Sequence, residues 1–504
     1  MIDTDVLVVG LGSAGAAIAR ALADEGRRVL AIDKRTIGAT GARWVNAVPR
    51  WCFEHAGVLV PSGDELFVSH DPHALEGREG AHAFHLVAPD GKSSLRMDAP
   101  PVLHVDMRKL VDRLVADAQR AGVETRHARV SSIELRGDRV IGVRIDQNGT
   151  EELVRTRLVI DASGIGGSVR TRVPQLATIC PAPDPEHRCV AAQYQFEVKD
   201  RAALEEFLAQ HGARLGHDVA FPGIAGGYST LTLFTSPTAD RVGVLTGSIP
   251  AIGVAEAQHV LDRFVARHPW IGARLFGGRG AIPVRRPYRV LARSGVALLG
   301  DAACQVHAAH GSGVGMGLVA ARLLVEATRG ADDPGSDAVL RAYERSFHRT
   351  LGGVLSVADA FRRHIQGATA EELSSLLSGG LLDASLAMDA LVQRPTRADL
   401  SLAMRMAPRA ARSPRVAMSF LPLAAKSAIV DRVGRFTGSA RIGDLVDRSL
   451  DSLLGDAPRA PGRGAWREAP RVAVADREPT RRSSPPPPPT SSERPPPDDE
   501  GKST

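Results

Sequence analysis

Residues Asp3–Lys34 read DTDVLVVGLGSAGAAIARALADEGRRVLAIDK. Asp5-Val6-Leu7-Val8-Val9 is a short apolar run, the pattern of a strand buried in a parallel sheet. It enters Gly10-Leu11-Gly12-Ser13-Ala14-Gly15 without a break. Ala16 to Glu25 is rich in Ala and Leu, which favour helix, and Gly26 can end that helix. Val29-Leu30-Ala31-Ile32 is a second apolar run, and it stops on Asp33.

Each part has a physical task. Gly10 permits a tight turn, Gly12 has no side chain to obstruct a pyrophosphate, and Gly15 lets helix and strand pack closely. The helix start offers unpaired N–H groups and the positive end of the helix dipole to phosphates. Asp33 follows Gly15 by 18 positions, near the ~20 at which an acid reaches ribose hydroxyls. A glycine motif with its strand, helix and acid predicts dinucleotide binding.

The chain has 504 residues, so two or more domains are expected. Its charge of +6 comes from 63 basic and 57 acidic residues, a mild balance that does not point to nucleic acid. Cys52, Cys180, Cys189 and Cys304 are scattered with no CxxC spacing and read as free thiols of a reducing compartment. The first strand begins almost at Met1, which leaves no room for a signal peptide. No apolar run is long enough for a membrane span. The expectation is a cytoplasmic protein without a transmembrane segment.

Residues 35–104 read as irregular, with many Gly, Pro and His; Arg43, Trp44, Asn46 and Trp51 cluster there. The pairs His70/His73 and His82/His85 have HxxH spacing but no Cys or second carboxylate beside them, so ordinary histidines are expected rather than a metal site. Val105–Gly122 predicts an amphipathic helix through Leu110, Val111, Leu114, Val115 and Ala118. Asn148-Gly149 predicts a hairpin turn. Leu158-Val159-Ile160 is another buried strand, entering Asp161-Ala162-Ser163-Gly164. Runs at 190–198, 228–234 and 242–245 predict a sheet-rich domain, followed by a helix over 255–267. Val296-Ala297-Leu298-Leu299 ends in Gly300-Asp301, and a helix is predicted from Met316 to Thr328, so the chain returns to its first domain. Residues 336–454 are largely helical by period. From about Ala457 apolar residues become sparse and prolines run together at 485–489 and 495–497, the composition of a disordered tail.

Three stretches together resemble a known superfamily. Gly10–Gly15 with Asp33 is similar to the FAD fingerprint. Leu158–Gly164 is similar to the segment where aromatic hydroxylases carry Asp-Gly. Val296–Gly315 is similar to the Gly-Asp motif whose acid holds the ribityl chain. Gly280-Ala281-Ile282-Pro283-Val284 and Phe221-Pro222 resemble the geranylgeranyl reductase branch. Val105-Asp106-Met107-Arg108 with Asp112 resembles the family helix whose arginine sits near the cofactor. The match spans roughly residues 1–328. The resemblance implies an α/β fold: a Rossmann-like FAD-binding domain (1–174 and 281–330) with an inserted β-sheet substrate domain (175–280). A helical region (331–456) and a disordered tail (457–504) follow. Ser163 and Ala308 depart from the family pattern, standing where hydroxylases have Asp and where the family usually has Pro. The branch's Cys-Gly is replaced by Gly38-Ala39-Thr40-Gly41. No Trp-x-Trp-x-Ile-Pro halogenase motif and no second glycine fingerprint of comparable quality occur.

The cofactor-binding residues implied are Gly10, Gly12, Ser13, Ala14 and Gly15 at the first turn. Asp33, Lys34, Arg108 and Val130 follow, then Ala162 and Gly164, then Gly300 and Asp301, and last Gly311, Gly313 and Val314. His307 and His310 are the catalytic candidates, because that loop lies beside the flavin in the family. The implied activity is FAD-dependent oxidoreduction of a small or apolar organic substrate, by hydride transfer or flavin-mediated oxidation, with NAD(P)H or a protein as electron donor. The alternatives are a flavin monooxygenase, a non-redox flavoprotein of the cyclase or isomerase kind, and an FAD-binding scaffold.

Overall fold

The computed structural model describes residues 1–67, 82–394, 414–438 and 442–455, with 408 and 411 as isolated positions. His70, His73 and the proline-rich tail lie outside the described residues. Among the described residues the first sheet has eight strands. Its core is parallel, in the spatial order Val296–Leu298, Thr150–Asp161, Ile2–Val9, Val29–Asp33 and Glu124–His127. The register aligns the carboxyl ends: Val9 lies opposite Ile32 and Asp161, and Asp161 opposite Leu298. Every turn that leaves those ends therefore opens on one edge of the sheet, where open α/β sheets bind ligands.

Three helices pack on this sheet and explain its burial. Ser13–Asp24 follows the glycine turn, and Val314–Thr328 follows the last parallel strand. Met107–Arg120 buries Met107, Leu110, Val111, Leu114, Val115 and Ala118, one apolar stripe. Each large apolar side chain so buried contributes roughly 1.5–3 kcal/mol. This helix begins two residues later than its period suggests, because Val105 and Asp106 end a strand, Val102–Asp106. The Asp106 carboxylate accepts from the Arg108 N–H at 3.0 Å and caps the helix. The Asn148-Gly149 turn has left-handed φ of 54° and 86°, as a tight hairpin requires.

The second sheet runs Ile271–Pro283, Arg188–Val198, Arg241–Ser248, Ser229–Thr235, Asp218–Pro222, Ala83–Val87 and Ser94–Asp98. Two of these strands come from 35–104, the stretch that reads as irregular. Val45–Pro49 from the same stretch pairs with Val102–Asp106. These strands are short and their partners are distant in the chain, so no local period reveals them. A helical region follows, tied to the rest through Arg286, which pairs with Asp447 at 2.5 Å and Asp451 at 2.6 Å. No helix among the described residues is long and apolar enough to cross a membrane.

Histidines gather where the second sheet meets Val102–Asp106. The Nε2 of His104 lies 3.2 Å from the Asp218 carboxylate, and that of His82 3.9 Å. His85 and His217 share a hydrogen bond of 3.0 Å. Burial, and after it the proximity of His217, lowers the His85 pKa from 6.5 to about 4. Burial also lowers His187, aided by Arg363 and Arg362, and His348, each to about 4. These imidazoles are neutral in the folded chain and free to protonate near 6.5 once it unfolds. Their contribution is thus complete above pH 6.5 and is lost as pH falls toward 4. The melting temperature should drop by several degrees across that window and stay nearly flat just above it. A melting temperature that is level from pH 6.5 to 4 would contradict the buried neutral assignment.

Candidate active site

A cavity of about 810 Å³ follows the carboxyl ends of the parallel strands. Its wall takes one turn from each strand, in the order of the sheet. Val130 and Ala128 follow the edge strand, and Asp33 and Lys34 follow the next. Gly10 to Gly15 follow the first strand of the chain. Ala162 and Gly164 come next, and Gly300 and Asp301 complete the row. Gly311, Gly313 and Val314 return to the wall from the loop beyond Asp301.

The glycine turn is built by close approach. Gly10 has φ +104°, and a Cβ there would lie 2.4 Å from the Ala162 carbonyl oxygen. A Cβ on Gly15 would lie 1.9 Å from the Gly10 oxygen. Gly12 differs: its Cβ would meet nothing nearer than the Gly41 Cα at 4.0 Å, so it leaves a slot rather than filling a contact. The Asp33 carboxylate is aimed by two backbone donors, Leu11 N–H and Arg35 N–H, each at 2.8 Å. Asp161 is fully buried and organises the third turn, accepting from Ser163 N–H at 3.1 Å, Val169 N–H at 2.9 Å and Arg170 N–H at 2.7 Å.

These residues fit a dinucleotide. The helices starting at Ser13 and Val314 have no side-chain cap, and both open on the cavity. Six cationic side chains (Lys34, Arg35, Arg43, Arg129, Arg172 and Arg279) line the cavity against the carboxylates of Asp33 and Asp301. That balance suits a pyrophosphate. No hydrogen bond reaches the Asp301 side chain among the described residues, and burial pushes its carboxyl from 3.8 up to about 6. A half-buried acid that faces the cavity and meets no protein donor suits a ligand hydroxyl.

Three candidates lie off the cavity wall. The Arg108 guanidinium is held by Asp106 at 2.6 and 3.0 Å and stacks over the Phe276 ring at 3.4 Å. His307 and His310 stack on each other with centroids 4.9 Å apart. His307 is buried, its Nδ1 finds no partner, and burial together with His310 holds its pKa well below 6.5. His310 is exposed. Conversely, Trp44, Asn46, Ser163, Arg279 and Ile282 line the cavity without standing in the candidate set. The run Gly277-Gly278-Arg279-Gly280 was the available signal, since glycines inside a strand mark a close approach.

Fold and cavity together define an FAD-binding oxidoreductase. The model of an FAD binding domain matches residues 3–211. Digeranylgeranylglycerophospholipid reductase 1 of Methanopyrus kandleri is 30% identical over 375 residues, covering 71% of this chain and 90% of that protein. Reductase 2 of the same organism is 28% identical over 387 residues, 74% of this chain and 89% of that protein. The chain belongs to the digeranylgeranylglycerophospholipid reductase family and is an FAD-dependent enzyme. A solved geranylgeranyl bacteriochlorophyll reductase-like protein from Thermoplasma acidophilum shares the fold, with a TM-score of 0.64 at 18% identity, over 84% of this chain and 100% of that one.

Proposed function

We propose that the chain reduces carbon–carbon double bonds in a prenyl-chain lipid. The observation that carries this reading is the family membership, since the relatives' names specify a geranylgeranyl lipid and a reductase. The cavity agrees with it. Beyond Asp301 its wall is Gly280, Ala281, Ile282, Gly311 and Trp44, an apolar strip flanked by Asn46 and Arg279.

When bound, FAD supplies two-electron hydride chemistry. The chain's own residues bind and orient. Gly12 leaves room for the pyrophosphate, Ser13, Ala14 and Gly15 present backbone N–H groups to it, and Val314 does the same from the second helix start. Asp33 accepts from ribose hydroxyls, with Lys34 and Val130 flanking the adenosine. Ala162 and Gly164 keep the third turn low, Gly300 and Gly313 flank Asp301, and Asp301 accepts from the ribityl chain. Arg108 acts at one remove, positioning Phe276 on the long edge strand. His307 and His310, on the loop between Asp301 and Gly311, are assigned to proton supply. The electron donor is NAD(P)H or a protein. A cytoplasmic location belongs to the same reading, and all four cysteines being free supports it. The division into domains at 174, 280, 330 and 456 is part of the same proposal.

The test is anaerobic. Reduced enzyme mixed with a geranylgeranyl lipid should reoxidise, and mass spectrometry should find a product heavier by two hydrogens per bond. No reoxidation until air is admitted, with an oxygen atom then gained by the lipid, would replace this reading with a monooxygenase.

A further inference from the structure

Trp44 occupies a position that neither the glycine turn nor the parallel strands explain. It lies half-buried on the cavity wall, just before the strand Val45–Pro49. Its carbonyl accepts from Met107 N–H at 3.0 Å, and its indole N–H donates to the Asn46 side-chain oxygen at 3.3 Å. The ring rests on Gly278 and Gly280, two positions on one face of the strand Ile271–Pro283. A Cβ on Gly280 would lie 2.5 Å from the indole Cη2, and one on Gly278 3.4 Å from Cε3. Gln193, buried and paired in register with Gly278, accepts from Val45 N–H at 3.0 Å. The indole is thus clamped where the two sheets meet.

The order of the turns says which end of the cavity this is. Across the sheet the wall runs from Val130 and Asp33 through the glycine turn to Asp301. The loop after Asp301 brings Gly311 within 3.6 Å of Ile282, measured from a Cβ built on that glycine, and Ile282 is two residues from Gly280 on the edge strand. An adenosine beside Asp33 puts the other end of the dinucleotide at the Asp301 side, where Gly280, Ile282 and Gly311 gather around the Trp44 seat.

We propose that Trp44 is the positioning residue for the planar ring of the bound flavin, with the glycine pair holding the indole flat as a stacking platform. Aromatic faces in offset contact attract beyond their area burial, and a clamped side chain loses little freedom on stacking. A glycine pair in mid-strand, otherwise unfavourable, is what seats so large a ring. This inference rests on the placement of FAD in the cavity.

The test uses the full chain purified with its FAD. Bound-flavin fluorescence and the visible absorption band are compared among wild type, Trp44→Leu, Trp44→Phe and Gly280→Ala. An indole in contact quenches flavin emission. Trp44→Leu should therefore raise the emission per bound FAD several-fold, and Trp44→Phe by less. Gly280 has ordinary backbone angles, so Gly280→Ala should fold and should raise emission too, by pushing the ring off its seat. Emission and absorption equal to wild type in Trp44→Leu and Gly280→Ala, with FAD bound, overturn the proposal. A merely structural Trp44 would move the melting temperature and leave the spectra alone. If Trp44→Leu does not fold, Gly280→Ala alone decides. Asp301→Ala separates the layers: FAD retained at wild-type affinity there removes the cavity placement itself. Weakened FAD with unchanged emission in the other variants removes only the role of Trp44.

Discussion

Replacing Asp301 with alanine is expected to weaken FAD binding about ten- to hundredfold while the fold stands. Asp301 follows the last parallel strand, at the aligned carboxyl ends where the other turns also open. It sits in a short 3-10 turn, Gly300–Ala303, and among the described residues no hydrogen bond reaches its side chain. A capping aspartate would hold a backbone N–H, as Asp106 does. Asp301 holds none, so removing its carboxylate takes nothing from the turn. A hydrogen bond to a charged group is worth roughly 1.5–3 kcal/mol, and each 1.4 kcal/mol is about a factor of ten in affinity.

The same carboxyl predicts a pH dependence. Burial raises its pKa from 3.8 to about 6 in the folded chain. For an acid raised in this way, its contribution to stability falls as pH rises from 3.8 through 6. Hydroxyl donors favour the ionised form and pull the pKa back down. FAD should therefore bind more tightly as pH rises through about 6. Asp301→Asn keeps the size and removes the charge. It should abolish that pH dependence and make the FAD-free protein more stable than wild type near neutrality, by up to about 3 kcal/mol at about 1.36 kcal/mol per pKa unit. Titration of FAD into refolded protein at several pH values, with melting curves, measures both. Unchanged affinity with a lowered melting temperature in Asp301→Ala would make Asp301 a structural residue.

The opening unit was legible because all its parts lie within 32 consecutive residues, Asp3–Lys34, where period and glycine spacing act locally. Asp301 was legible for the same reason, as an acid directly after an apolar strand. The strand Ile271–Pro283 was not, because glycines at 277, 278 and 280 leave its alternation without side chains. Gly277 takes a left-handed φ of +138° against the Gln193 carbonyl, and Gly278 and Gly280 make room for Trp44, far back in the chain. His82, His85, His104 and His217 likewise come together only through the pairing of distant strands. The resemblance sets Arg108 near the cofactor; the contacts of its guanidinium with Asp106 and with the distant Phe276 ring are not legible from the sequence around it. What the sequence conceals here is long-range contact, and the Trp44 end of the cavity is made almost entirely of it.

Two glycines in the first turn should separate folding from cofactor binding. Gly15→Ala places a methyl 1.9 Å from the Gly10 carbonyl oxygen and 3.2 Å from the Ala162 side chain. Both neighbours belong to the packed core of the turn, and neither can retreat. Overpacking of this kind costs about 3 kcal/mol or more, which lowers the melting temperature by at least several degrees in a chain of this length. Gly12→Val meets different surroundings. Gly12 has φ −74° and ψ −174°, extended backbone that any residue adopts, and its missing side chain faces the gap to Gly41. Valine there loses a favoured helix cap, about 1 kcal/mol, so the FAD-free protein should melt within a few degrees of wild type. Its methyl groups enter the slot that a pyrophosphate needs, and flavin content should fall to near zero. Co-purified flavin and melting temperature, measured side by side, give the comparison. Gly15→Ala should lose both, and Gly12→Val should lose only the flavin. A Gly12→Val protein that retains FAD at full stoichiometry would mean that the pyrophosphate does not cross the slot between Gly12 and Gly41.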